Sequence, residues 1–320
     1  MEGFGEAEEK MSDLVFGLIY SSISLATPIL LVSIAELIVE KGGILNLSIE
    51  GSMLIGAFSS FITAYYTNNL LYASIAAALS GLLLCLLFAF LTITLALDQM
   101  VTGISLNLLA LGVTSYLYRA SFGWYVSPIP PRIERTIATL EIPILSRIPI
   151  VGELIFNHIP HTYIAFIMVF ACWLLLKTDL GLKIKAIGED PEIAETLGVN
   201  VNALRYALLF MEGIIAGISG SLLSTAYYNM FLDNMTSGRG YVAIALIILA
   251  RWNPLLLFPT VYFFNFIDAL QLRIQAIGLV WFPYQFSLML PYLFTILALF
   301  IMGRKVRGPS SLAKPYRRLR

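Results

Sequence analysis

Residues 181–201 read GLKIKAIGEDPEIAETLGVNV, a compact charged segment between two apolar stretches of the chain. Asp190 places a side-chain acceptor directly before Pro191, which is a strong helix start signal. Glu195 follows early in this helix, where the macrodipole favours negative charge, and Gly198 is expected to end it after about two turns. We therefore predict a short, rigid helix across one membrane face. The alternative is a solvated loop that is helical for local reasons.

Apolar stretches occupy most of the chain around this segment. Hydrophobic residues make up 58% and charged residues 12%, with a mean hydropathy of +0.83; soluble proteins average about 45 to 50% and about 25%. Most stretches approach the ~20 residues that a membrane-spanning helix needs. They are 14–35, 44–66, 70–97, 100–118, 161–176, 205–228, 240–250, 254–272 and 284–302. We predict an all-α, polytopic integral membrane protein with about nine transmembrane or re-entrant helices in one domain, 1–320. The stretch 240–250 is short for a complete span, and the alternative is that it forms half of a broken or re-entrant helix.

Basic residues predict the orientation of these helices. If 177–204 is cytoplasmic, alternation through nine spans places the N-terminus outside and the basic tail 303–320 inside. The opposite side then carries fewer and more dispersed basic residues, as the positive-inside rule expects. The acidic start lacks the basic region of a signal peptide, so Leu14 to Ala35 is expected to be a retained span of a plasma-membrane protein.

The segment 119–160 is rich in proline, which prevents a long continuous helix. We expect it to lie outside and to cap the outer face. Such a long connection is typical of a functional element, here a docking surface for an extracellular substrate-binding protein. An interfacial element that only packs on the helices is the alternative.

Motifs for catalysis are missing from the sequence. There is no G-x-x-x-x-G-K-[ST] phosphate loop and no H-E-x-x-H zinc motif. We therefore predict that the chain is not an enzyme. Cys85 and Cys172 have no metal-ligand spacing, His158 and His161 are expected to be interfacial, and no metal site is predicted. The formal net charge of zero gives no indication of a nucleic-acid partner.

Polar residues inside the apolar stretches are candidates for a translocation path, because ionisable groups at membrane depth usually face a cavity or a partner helix. The candidates are Asn46, Glu50, Gln99, Asn107, Asp268 and Gln271. Asn46 and Glu50 are four residues apart and are expected to share one helical face. A path lined by amides and hydroxyls suits a hydroxyl-rich ligand. Hydrogen bonding between helices is the alternative for each residue.

Small residues repeat at four-residue spacing at Gly213, Gly217 and Ser221. This spacing allows helix backbones to approach closely. We predict a helix-packing stripe on the helix that follows the charged segment.

Four segments in order resemble the permeases of ABC importers for nucleosides, simple sugars and branched-chain amino acids, in particular the nucleoside and simple-sugar branch. They are ELIVEKGGILNLSIEGSMLIGAF from Glu36, DQMVTGISLNLLALGVTSYLYR from Asp98, GLKIKAIGEDPEIAETLGVNV from Gly181 and MTSGRGYVAIALIILARWNP from Met235. The tail sequence SSLAKPYRR also fits this branch.

The resemblance implies a permease subunit that forms the translocation path of an ATP-driven importer. In this family the loop that corresponds to 181–201 docks the ATPase, and the residues of this loop that we assign to docking are Gly188, Glu189, Asp190, Pro191, Glu192, Glu195 and Gly198. It also implies ATPase subunits that carry ATP and Mg, a second permease subunit (a paralogue or a copy), an extracellular substrate-binding lipoprotein, and no cofactor in this chain. A branched-chain amino-acid permease is the alternative within the class. An ion-coupled secondary carrier is the alternative outside it, and would be expected to show internal repeats.

Overall fold

The computed structural model describes residues 2–123, 130–141, 154, 156–277, 284–302 and 307–316. Its helices are α1 (Glu2–Lys41), α2 (Ile49–Thr67), α3 (Leu70–Ala89), α4 (Gln99–Phe122), α5 (Pro160–Leu175), α6 (Asp179–Glu189), α7 (Pro191–Thr196), α8 (Val201–Leu222), α9 (Arg239–Leu249), α10 (Pro254–Ile277) and α11 (Tyr284–Met302). Short π-helical segments extend α3 over Phe90–Thr94 and α8 over Leu223–Tyr227. Strands β1 (Leu140–Glu141) and β2 (Asn157–His158) form an antiparallel pair.

Several helices begin where a polar side chain caps the first turn. Asn69 Oδ1 accepts from Leu71 N at 2.9 Å, Asp98 Oδ1 accepts from Val101 N at 2.9 Å, and Asn200 Oδ1 accepts from Ala203 N at 3.1 Å. These caps satisfy amide groups that a helix start leaves without partners. They also fix where α3, α4 and α8 leave their connecting turns.

The predicted all-α membrane fold is confirmed. Within the described residues, Val15–Lys41, Leu70–Thr94, Gln99–Phe122, Val201–Tyr227 and Pro254–Ala276 are long and apolar enough to cross a membrane. The pair α5 and α6, bent by 78°, makes a sixth candidate. The remaining predicted stretches also form helices, namely α2, α9 and α11. The total of nine spans stays a prediction.

Helix α8 lies at the centre of the bundle and packs against α1, α2 and α3. Gly213 and Gly217 face α3: a Cβ on Gly213 would lie 2.7 Å from Cys85 Cβ, and a Cβ on Gly217 would overlap Ala77 O. Ser221 is buried and donates to Ile218 O at 2.7 Å. The structure thus places the glycines of the small-residue stripe against helices of the same subunit.

Contacts define two ends of the bundle. At one, which we call the hairpin end, Asn68 of the α2–α3 turn donates to Glu134 at 3.3 Å, and Tyr20 of α1 donates to Asn157 O of β2 at 3.1 Å. The described part of 119–160 after α4 has extended chain and this short β-pair, as its prolines predict. Residues 124–129, 142–153 and 155 lie outside the described residues. The other end, the tail end, carries the α1–α2 turn (42–48), the segment 177–200 and the tail residues 307–316.

The chain between α8 and α10 crosses from one end to the other with only its second half helical. Met230 pairs with Arg132 at the hairpin end, whereas Trp252, just after α9, contacts Glu40 near the tail end. The 11-residue helix α9 starts after Gly238, whose φ is +84°. This arrangement favours the broken-helix alternative for 240–250. Non-helical backbone at membrane depth is tolerated where protein surrounds it.

Candidate functional site

The short helix α7 has the start and stop that the sequence predicts. Asp190 Oδ1 accepts from Glu192 N at 3.1 Å and from Ile193 N at 3.0 Å. Gly198 has a φ of +87°, a left-handed conformation that glycine adopts without steric cost. Both local predictions are confirmed.

Helix α7 presents an exposed surface of mixed character. Ile193 on the helix and Leu197 directly after it are 58% and 78% exposed. Asp190 and Glu192 are exposed beside them, and Glu195 is half-buried. A six-residue helix with exposed apolar side chains outside the membrane spans is suited to contact another protein.

The other predicted docking residues differ in position. Glu189 and Gly198 are exposed and Pro191 is half-buried, whereas Gly188 is buried. A Cβ on Gly188 would overlap Lys41 O and lie 3.3 Å from Gly43 N. Gly188 therefore joins α6 to the α1–α2 turn and does not face outward.

The α1–α2 turn is held by polar side chains from three helices. Asn46 N donates to Glu36 Oε1 at 3.0 Å, and Asn46 Nδ2 donates to Glu212 Oε2 at 3.1 Å. Leu45 N donates to Gln99 Oε1 at 2.9 Å. The prediction that Asn46 and Glu50 share one helical face is wrong, because α2 begins only at Ile49 and Asn46 lies in the turn.

Glu50 reaches the N-terminus of α9. Its Oε1 accepts from Gly238 N at 2.7 Å and its Oε2 from Gly240 N at 2.6 Å. A carboxylate at this position satisfies free amide groups and complements the helix dipole. Gly240 permits the contact, since a Cβ there would lie 2.8 Å from Glu50 Cα. Glu50 therefore fixes the start of the broken-helix segment.

A cavity of about 360 Å³, lined by both polar and apolar side chains, lies between this segment, α10 and α11. Its polar lining residues are Tyr228, Asp233, Asn234, Ser237, Arg239, Asp268, Gln271 and Tyr292. Its volume lies within the ~300 to 1,000 Å³ of small-molecule sites. In the described part of the chain no three His, Cys, Asp or Glu side chains are grouped as metal ligands.

The six predicted path residues do not meet in one place. Asp268 and Gln271 line the cavity. Gln99 and Asn46 hold the α1–α2 turn, and Glu50 caps α9. Asn107 Nδ2 donates to Tyr241 Oη at 2.5 Å, which joins α4 to α9. These last four residues form hydrogen bonds between elements, and their place on a translocation path stays a prediction.

Sequence reasoning missed several residues that join elements at the tail end. Ser311 and Tyr316 contact the segment 177–200, Trp252 contacts Glu40, and Arg205 Nε donates to Gly42 O at 3.3 Å. The only signal that we used in this region was the fit of the tail sequence SSLAKPYRR to a family pattern. It indicated that the chain is a family member, and it did not indicate that the tail contacts the segment 177–200.

Comparison with known proteins gives consistent relatives. A putative glucose ABC transporter permease of Haloferax volcanii is 37% identical over 82% of this chain and 79% of its own length. A guanosine ABC transporter permease of Bacillus subtilis is 31% identical over 91% of this chain and 93% of its own length. A nucleoside ABC transporter permease of Lactococcus lactis is 31% identical over 92% of this chain and 93% of its own length. No solved structure matches significantly.

A family described as the branched-chain amino acid transport system permease component matches residues 18–301. This match covers most of the chain and ends before the tail residues Ser311 and Tyr316. The chain therefore belongs to this family of multi-pass ABC importer permeases.

Proposed function

We propose that this permease imports nucleosides or simple sugars and that a separate ATPase, docked on α7, supplies the energy. The observation that carries the docking is the geometry of α7. Asp190 caps its start and Gly198 ends it. Ile193 and the adjoining Leu197 are exposed to solvent. A rigid exposed helix beyond the spans transmits force from a partner better than a mobile loop.

The cavity supports the class of substrate. Its amide, carboxyl and guanidinium groups offer the donors and acceptors with which a hydroxyl-rich molecule exchanges its hydrogen bonds to water. The relatives named for guanosine, nucleosides and glucose agree with this chemistry. Apolar side chains such as Ile29, Val242 and Phe264 also line the cavity, so it is the names of the relatives that favour nucleosides and sugars over branched-chain amino acids.

The partners follow from the same proposal. The permease assembles with a second permease subunit, with ATPase subunits that bind ATP and Mg, and with an extracellular lipoprotein that captures substrate. The hairpin end faces outward, with 119–160 as the surface next to the lipoprotein. The segment 177–204 and the tail 303–320 face the cytoplasm.

Purification of the tagged chain from native membranes tests the substrate and the partners together. We expect an ATPase and a lipoprotein to copurify. Uptake by the reconstituted complex should be inhibited by unlabelled nucleosides or sugars, and not by leucine or valine. Inhibition by leucine alone would replace the proposed substrate class with the amino-acid alternative.

Thiol labelling tests the orientation. In a background without Cys85 and Cys172, single cysteines replace Leu140, near the hairpin, and Glu192, on α7; both side chains are exposed. We expect an impermeant maleimide to label position 140 in intact cells and position 192 only after lysis. The reverse pattern would overturn the orientation.

A further inference from the structure

The tail residues 308–316 bind the segment that carries α7. Ser311 N and Oγ both donate to Gly188 O, at 2.9 and 2.6 Å. Ser310 Oγ donates to Glu189 Oε2 at 2.7 Å, and the Tyr316 hydroxyl donates to Glu195 on α7. The tail thus contacts α7 and the end of α6 although more than a hundred residues separate them in sequence.

The same tail residues bind the transmembrane bundle. The Arg205 guanidinium of α8 lies 5.7 Å from the centre of the Tyr316 ring. Gln99 Nε2 of α4 donates to Lys314 O at 3.4 Å, and the Trp252 ring packs on Gly308. Ser311 and Tyr316 are 6% and 7% exposed, so both side chains are buried at the junction.

Tyr316 also completes the small core beneath α7. This core consists of Ile187, Ala194, Val201 and Tyr316, and Ala194 is the buried residue that α7 contributes. Isolated helices this short are unstable in water. The position of α7 therefore depends on this core, and Tyr316 supplies its largest side chain.

We propose that residues 308–316 form a clasp that holds α7 against the bundle, and that Ser311 and Tyr316 are positioning residues for ATP-driven transport. This inference rests on the proposed function of α7 as the ATPase-docking helix. It assigns the tail to the coupling machinery, beyond any general affinity of its basic residues for the membrane surface.

A continuous series of contacts leads from the clasp towards the cavity. Arg205, beneath the Tyr316 ring, donates to Gly42 O of the α1–α2 turn. The turn leads into α2, where Glu50 holds the amide groups of Gly238 and Gly240. The next side chain along that segment, Arg239, lines the cavity. Displacement of α7 by a docked ATPase would therefore act on the start of α9 through the clasp and the turn.

The test uses the purified complex reconstituted in lipid, with substrate-loaded lipoprotein as the stimulus. Tyr316→Phe removes the hydroxyl that binds Glu195 and keeps the ring beside Arg205. We expect the substrate-stimulated rate of ATP hydrolysis to fall about fivefold, a typical coupling between distant sites. The basal rate and the yield of ATPase in the complex should stay at wild-type values. Ser311→Ala should also lower the substrate-stimulated rate of ATP hydrolysis.

Tyr206→Phe is the matched control. Its hydroxyl also bonds across elements, to Thr94 Oγ1 at 2.6 Å, but it lies outside the clasp. We expect it to keep wild-type stimulation. The double variant Tyr316→Phe with Glu195→Ala should lose no more stimulation than the more affected single variant, because each substitution removes one partner of the same hydrogen bond.

Wild-type stimulation in Tyr316→Phe and Ser311→Ala, in complexes that contain the ATPase, would overturn the clasp and leave the docking of α7 intact. Equal losses in Tyr206→Phe would also overturn it, since a general structural effect would then explain the result. Failure of the docking itself would appear differently, as the absence of any crosslink between α7 and the ATPase in the wild-type background.

Discussion

Replacing Gly217 by leucine is expected to prevent assembly of the permease. A Cβ at this position would overlap Ala77 O in α3. Gly56 of α2 and Gly81 of α3 also pack closely against the backbone of Gly217. Overpacking usually costs about 1 to 3 kcal/mol, and here the obstacle is backbone, which cannot turn aside. We expect recovery of the folded complex to fall at least about fivefold, measured by size-exclusion chromatography in detergent.

Gly112→Leu is the matched control for this substitution. Gly112 lies on α4, and a Cβ there would meet nothing within 4 Å. Its yield, and its uptake in the reconstituted complex, should therefore match the wild type. Normal yield and uptake for Gly217→Leu would show that α8 does not pack on α3 as described.

Gly198→Val is expected to uncouple ATP hydrolysis from substrate. Gly198 has a φ of +87° with nothing within 4 Å of a Cβ, so within this chain the substitution acts through backbone strain. Forcing an L-residue into this region costs about 1 to 2 kcal/mol, and more when it is β-branched. We expect the stimulated ATPase rate to fall about tenfold, while the lipoprotein still binds its substrate.

Gly198→Asn separates strain from side-chain volume, because asparagine tolerates the left-handed conformation. We expect it to keep most of the stimulation. Equal losses in the valine and asparagine variants would indicate that bulk, and not the end of α7, is responsible. Charge reversal at Glu195 is less discriminating, since it also breaks the contact with Tyr316.

Local signals in the sequence predicted the helices and the shape of α7. Asp190, Pro191 and Gly198 act within a few residues of one another, and their effects on backbone geometry are general. The nine apolar stretches each contain a helix. This was also predictable, because apolar segments in a membrane must satisfy their own backbone amide groups.

Contacts between distant segments could not be predicted in this way. The periodicity around Asn46 resembles that of a helix, yet the turn is held by Glu36 and Glu212 from other elements. The contacts of Tyr316 and Ser311 join residues that are distant in sequence, and no local pattern encodes them. Asp268 and Gln271, selected as path candidates because they are polar at membrane depth, do line the cavity, whereas Arg239 enters it only through the broken-helix segment.

Crosslinking from α7 tests the central claim most directly. In a background without Cys85 and Cys172, Ile193→Cys places a thiol on the exposed face of α7, and Thr67→Cys places a matched thiol at the hairpin end. A short bifunctional thiol and amine reagent is applied to the intact complex, and the adducts are identified by mass spectrometry. We predict an adduct between position 193 and the ATPase that is absent from position 67. No adduct at 193 in a complex that contains the ATPase, or an equal adduct at 67, would contradict the account.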